Sequence, residues 1–113
     1  MTTPFSDLFN LNLVVKPLSA VNINAETTIW TPASGRRFRL LAYHLVSSVA
    51  GNVVLKDNTA GTTIAVIPSA AAGNGTFGVF PFGGIPSAAI NNVLTATLAT
   101  ATLSGWIAGF EET

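Results

Sequence analysis

Apolar and polar residues alternate along most of the chain in short segments that are rich in Val, Ile, Thr and aromatic side chains. This period of two is typical of β-strands, and clusters of Gly, Pro, Asn and Asp between the segments indicate turns. Proline cannot donate to a neighbouring strand, so Lys16-Pro17 is expected to end the first one. The pattern predicts strands at 11–15, 21–23, 27–30, 37–47, 53–57, 62–67, 93–99 and 103–110.

The longest predicted strand, residues 37–47, is apolar on both sides. Such a strand is expected to be central, with one side in the core and the other covered by an N-terminal arm or a neighbouring subunit. In the last strand Trp106, Ala108 and Phe110 should share a face, and Ser104-Gly105 is a candidate bulge. Strict alternation in 37–47 places Phe38, Leu40, Ala42, His44 and Val46 on one face and Arg39, Leu41, Tyr43 and Leu45 on the other.

Seven to nine short strands in a chain of this length predict an all-β fold, a single small β-sandwich of jelly-roll type, with a partly open barrel as the alternative. Thr and Gly interrupt the Ala-rich stretches and argue against helix there. Residues 68–89 are rich in Gly, Ala, Pro and Phe, and they are expected to form an extended loop that holds one short strand. The sandwich is assigned to residues 11–113.

Residues 1–10 carry Phe5, Leu8 and Phe9 without the alternation of a strand. They are interpreted as an N-terminal arm, and these three side chains are candidates for binding a partner. A short helical turn capped at Ser6, with the apolar side chains closing the sandwich, is the alternative.

Charged residues are only 9% of the chain, the net charge is zero, and residues 58–110 contain no charge at all. A free monomer usually keeps a charged surface, so this composition predicts a homo-oligomer or a place in a larger assembly. A monomer made soluble by Ser, Thr and Asn is the alternative. With five Lys and Arg residues, nucleic acid is not expected as a partner.

The sequence offers little material for catalysis or for cofactors. It has no cysteine and a single histidine, His44, and its carboxylates are dispersed except for Glu111-Glu112. Neighbours on a strand point to opposite faces, so this last pair is interpreted as a solvated tail. We therefore expect no enzyme activity, no metal and no cofactor. No secretory signal or membrane helix is recognisable, so neither a membrane partner nor export is expected.

Three of the five basic residues lie together in Gly35-Arg36-Arg37-Phe38-Arg39. Arg37 and Arg39 should share one strand face, about 7 Å apart, where both could contact an acidic surface of a partner. Arg36, Arg37 and Arg39 are therefore candidate partner-binding residues. Ion pairs with Glu111, Glu112 or Glu26 of the same chain are the alternative.

Residues 27–41 (TTIWTPASGRRFRLL), 53–57 (VVLKD), 80–83 (FPFG) and 103–110 (LSGWIAGF) form a recurring pattern. It consists of a strand entrance of the form P-x-x-G-K/R-R, a middle strand that ends in a polar turn, and a last strand of Gly and aromatic residues. With these features the arrangement from Glu26 to Glu112, about three quarters of the chain, resembles small virion proteins of tailed bacteriophages that decorate capsids.

This resemblance implies a β-sandwich, usually trimeric, that binds the capsid exterior and cements the major capsid protein, after synthesis in the host cytoplasm. It transfers no catalytic residue. Similar sandwiches occur in phage tails and spikes, so a host-binding module is the alternative function. A glycan site in such a module would be expected to stack a sugar on an exposed aromatic such as Trp30 or Tyr43 beside a carboxylate, and the sequence places no acid next to either.

Overall fold

The computed structural model of the protein describes residues 13–81 and 83–113. These residues form nine strands and no helix, and so contain no helix that is long and apolar enough to span a membrane. The boundary predicted between an arm at 1–10 and the sandwich lies outside the described residues. The strands are β1 (Leu13–Asn22), β2 (Thr27–Trp30), β3 (Arg37–Ser47), β4 (Gly51–Asp57), β5 (Thr62–Ser69), β6 (Gly75–Val79), β7 (Ile85–Pro86), β8 (Leu94–Thr97) and β9 (Thr102–Glu112).

The strands form two antiparallel sheets that pack face to face. Sheet A has the order β1-β9-β3-β6, with the short β7 also paired to β3, and sheet B has the order β2-β8-β4-β5. Apart from the β4–β5 hairpin, successive long strands cross from one sheet to the other. With the two-residue β7 set aside, the other eight strands are arranged as a jelly roll, so the predicted β-sandwich and its jelly-roll type are confirmed.

The core lies between the two sheets and contains the largest buried side chains. Trp30 from sheet B stacks at a tilt on Phe38 from sheet A, with 5.5 Å between the ring centres. Burying one such side chain contributes about 1.5–3 kcal/mol, so this layer supplies most of the driving force for folding. Its other fully buried members are Ile23, Leu40, Val53, Leu55, Leu94, Ala96, Ala101, Leu103 and Ile107.

The strand predictions are confirmed without change for β2 and β3, whereas the first strand was placed wrongly. Instead of ending at Lys16-Pro17, β1 continues through Pro17 to Asn22, and Pro17 is paired with Trp106. Among the described residues, β1 is the edge strand of sheet A and carries a partner strand on one side only. The missing N–H of a proline is tolerated at such an edge.

A β-bulge in β3 overturns the strict alternation predicted for that strand. Leu40 is paired with Gly109 and Ala42 with Ala108, so Leu41 is an extra residue opposite β9. The faces exchange at this point: Leu45 is buried with Phe38, and His44 turns outward. The bulge expected in β9 at Ser104-Gly105 is found in the neighbouring strand instead. It lies in β1 between Leu18 and Val21, opposite Ser104-Gly105.

Residues 68–89 hold two strands, β6 and β7, where one was expected. Both pair with β3, which places β3 inside sheet A, as predicted for a strand with two apolar faces. Phe77 lies on β6 opposite His44 and so belongs to the outer face of sheet A.

Candidate interaction surface

The outer face of sheet A, which points away from the core, is apolar across the full width of the sheet. Register aligns its side chains in rows: Leu13 with Phe110, Val15 with Ala108, and Pro17 with Trp106. The rows continue onto β3 and β6, where Trp106 meets His44, and His44 meets Phe77. We call this surface the apolar face; it consists of Leu13, Val15, Pro17, Ala42, His44, Phe77, Val79, Trp106, Ala108 and Phe110.

Several of these side chains are strongly exposed. Phe77 is 77% exposed, Val79 73%, Leu13 61%, Val15 56% and Trp106 38%. Isolated exposed apolar residues are common on proteins, but contiguous apolar patches of more than a few hundred Å² usually bind another surface. The predicted shared face of Trp106, Ala108 and Phe110 is therefore confirmed, and it forms the centre of a larger patch.

His44, the single histidine, is half-buried on the apolar face with its ring 6.3 Å from that of Trp106. His44 therefore lies on the outer face of sheet A and not in the core, and its place in an interface stays a prediction. Gly75 on the neighbouring edge strand leaves room for this ring, because a side-chain carbon there would lie 2.9 Å from the imidazole.

The predicted arginines lie at one end of the apolar face. Arg37 and Arg39 share the outer side of β3, as expected, and both approach Glu112 of β9. Arg39 donates to Glu112 Oε1 from Nε at 3.0 Å and from Nη2 at 2.9 Å, whereas Arg37 Nε is 3.7 Å away. The intramolecular ion pair that the sequence offered as the alternative is therefore present. Partner binding by these arginines stays a prediction.

Arg36 is directed elsewhere. Its Nη1 donates a long hydrogen bond, 3.5 Å, to the main-chain oxygen of Glu111. The other predicted partner-binding residues, Phe5, Leu8 and Phe9, lie outside the described residues. Thus the structure places the three arginines around the end of β9, with Arg37 and Arg39 bordering the apolar face.

Beside the arginines is an open depression of about 330 Å³, lined by Arg39, Gly83, Phe110, Glu111 and Glu112. Two of its lining residues, Arg39 and Glu112, form an ion pair with each other. Within residues 13–81 and 83–113, no three His, Cys, Asp or Glu side chains come together as a metal site would require.

Glu111 and Glu112 do point to opposite faces of β9, but the interpretation of a solvated tail was wrong. Glu111 accepts a hydrogen bond from Trp30 Nε1 at 2.9 Å and one from the Ala33 N–H at 3.1 Å. A buried indole N–H needs an acceptor, and this carboxylate provides it. Trp30 is only 1% exposed and paired with an acid, so it does not form the exposed stacking platform considered for a glycan.

Two further carboxylates hold loops in place, a role that was not predicted from the sequence, where Glu26 was named only as an alternative ion-pair partner of the arginines. Asp57 is buried at the end of β4, where it accepts hydrogen bonds from Ser87, Ala88 and Asn92. Glu26 accepts from Thr95 Oγ1 at 2.6 Å and from the Ala60 N–H. The partners lie 31 or more residues away for most of these bonds, so local sequence patterns carry no signal for them.

Comparison of the chain with protein-family models, with curated proteins and with solved structures gives no match.

Proposed function

We propose that the protein is a non-enzymatic structural component of a bacteriophage virion, which binds the exterior of the capsid and cements the major capsid protein. The observation that carries the proposal is the apolar face, an exposed patch on a domain whose sequence contains only 9% charged residues. A protein with such a surface is suited to permanent contact with other protein surfaces.

The motifs that resemble decoration proteins have structural roles consistent with this proposal. The strand entrance at 32–37 is fixed by Glu111, the middle strand ends at the buried Asp57, and the aromatic last strand supplies Trp106 and Phe110 to the apolar face. The side chains of these motifs therefore stabilise the jelly roll and contribute to its apolar face.

The proposal is tested by quantitative mass spectrometry of purified particles of the phage that encodes the chain, with the major capsid protein as the internal standard. We expect a copy number in the hundreds and labelling of intact capsids by an antibody against the protein. A few to a few tens of copies, with labelling confined to the tail, would instead establish a tail or spike component. Absence from purified particles would refute a virion role altogether.

A further inference from the structure

We infer that the apolar face is the surface through which this chain associates with a second copy of itself. The inference rests on the proposed function, because it names the partner of the same face. It also assigns a definite place to the self-association that the charge-poor sequence predicts.

The area of the apolar face suits an interface of ordinary size. Five large apolar side chains on it, Leu13, Val15, Phe77, Val79 and Trp106, are 38–77% exposed. A fully exposed large aromatic side chain has a surface of ~200 Å², and a fully exposed Val or Leu side chain has ~100 Å². Multiplied by the exposed fractions, these values give roughly 400 Å² of exposed apolar surface for the five side chains. A standard interface buries about 800 Å² on each partner, of which about 60% is apolar. The face therefore offers nearly the apolar area that one side of a stable protein interface needs.

The charges around the face favour a copy over a strongly charged partner. The central rows are uncharged, and the end of the face carries both signs, with Arg37 and Arg39 beside Glu112. In an association related by symmetry, each copy brings guanidinium groups and a carboxylate, so like charges need not face each other. A purely acidic partner would repel Glu112, and a purely basic partner would repel Arg37 and Arg39.

Sheet B gives the contrast within the same molecule. Its outer face carries Lys56 and Thr97 next to Val54, and its most exposed large apolar side chain is Val66, at 51%. Since the two sheets differ in this way, a substitution on sheet B serves as a control for one on sheet A.

The experiment measures the mass of the purified full-length protein by light scattering and native mass spectrometry over a concentration series. We expect a homo-oligomer at micromolar concentration. The double substitution Phe77→Thr and Val79→Thr on the edge strand β6 should weaken association at least about a hundredfold, because it removes the two most exposed apolar side chains. Val15→Thr on the opposite edge should act in the same direction, and Val66→Thr on sheet B should leave the mass unchanged. Circular dichroism must show the same strand content for each variant.

Three results would overturn the inference. If the Phe77/Val79 variant associates as tightly as the wild type, the interface lies elsewhere. If the wild type is monomeric and Phe5→Ser with Phe9→Ser makes it associate, the chain's own N-terminal segment is the occupant. If the wild type is monomeric but binds capsids through Phe77 and Val79, the capsid itself is the occupant, and the proposed function stands without self-association. Conversely, an oligomer that is absent from virions would refute only the proposed function.

Discussion

Replacing Asp57 by Ala should destabilise the fold strongly, although this residue lies far from the apolar face. Asp57 is 7% exposed, and its carboxylate accepts hydrogen bonds from Ser87 Oγ and the Ala88 N–H, both at 2.7 Å, and from Asn92 Nδ2 at 3.2 Å. It therefore ties the connection between β7 and β8 to the end of β4.

The magnitude follows from these contacts. A hydrogen bond to a charged group contributes about 1.5–3 kcal/mol, but water can reach some of the donors after truncation. We therefore expect Asp57→Ala to cost about 3–5 kcal/mol, a large part of the roughly 5–15 kcal/mol that stabilises a domain. At about 4 °C per kcal/mol for a chain of this size, Tm should fall by about 12–20 °C.

Urea unfolding at pH 7, followed by tryptophan fluorescence, measures this cost, and thermal unfolding provides the independent check. Asp57→Asn is the matched control, because the amide keeps one acceptor oxygen and nearly the same shape. It should cost less than half as much as Asp57→Ala, and Ser87→Ala should fall in the same smaller range. A loss below about 1 kcal/mol for Asp57→Ala would show that the three hydrogen bonds are replaced by water without penalty, and the reasoning from burial would be wrong.

Three further predictions concern other parts of the chain. Gly105→Ala should unfold the protein or lower its Tm far more than Gly73→Ala. A side-chain carbon at Gly105 would collide with a main-chain oxygen of β3, whereas one at Gly73 would meet open space. Thermal unfolding of both variants measures the difference. Hydrogen bonds from Thr95 and Ala60 lower the pKa of Glu26, so this carboxylate stabilises the fold above its ordinary pKa near 4.5. That contribution is lost as pH falls through the lower folded pKa, and Glu26→Gln should flatten the acid limb of a stability–pH curve. Replacing Arg37 and Arg39 by Ser should lower the free energy of unfolding in urea by only about 0–1 kcal/mol. The same double substitution should weaken binding to capsids that lack the native protein and make that binding less sensitive to salt. Lys16→Ser, on the opposite face of sheet A, should leave capsid binding unchanged.

Most of the fold could be predicted from local pattern, because turns rich in Pro, Gly and Asn delimit the strands. Both ends of β2 and β3 were predicted for this reason. Pro17 was misjudged because its effect depends on whether β1 lies at the edge of a sheet, which is a property of the tertiary structure. Alternation within Thr76-Phe77-Gly78-Val79 could have indicated β6, but the surrounding glycines obscured it.

The candidate surface was predictable only in part. Period two grouped Trp106 with Ala108 and Phe110, yet it could not say whether that group or its alternate set faces the core. The link between Trp30 and Glu111 spans 81 residues, so the role of this carboxylate became visible only in the folded chain. Arg37 and Arg39 were correctly placed on one face, but their pairing with Glu112 depends on the register of β9 beside β3.

The bulge at Leu41 determines which side chains β3 contributes to the apolar face. Without this extra residue, continuous alternation would place His44 between the sheets and turn Tyr43 and Leu45 outward. A buried imidazole would then need polar partners in an apolar core, where unsatisfied polar groups are costly. With the bulge, Leu45 is 2% exposed and Tyr43 packs against Phe80, with ring centres 5.7 Å apart. Because of this extra residue, Arg39, Ala42 and His44 all point outward and belong to one surface. Core packing and the proposed interface therefore depend on the same β-bulge.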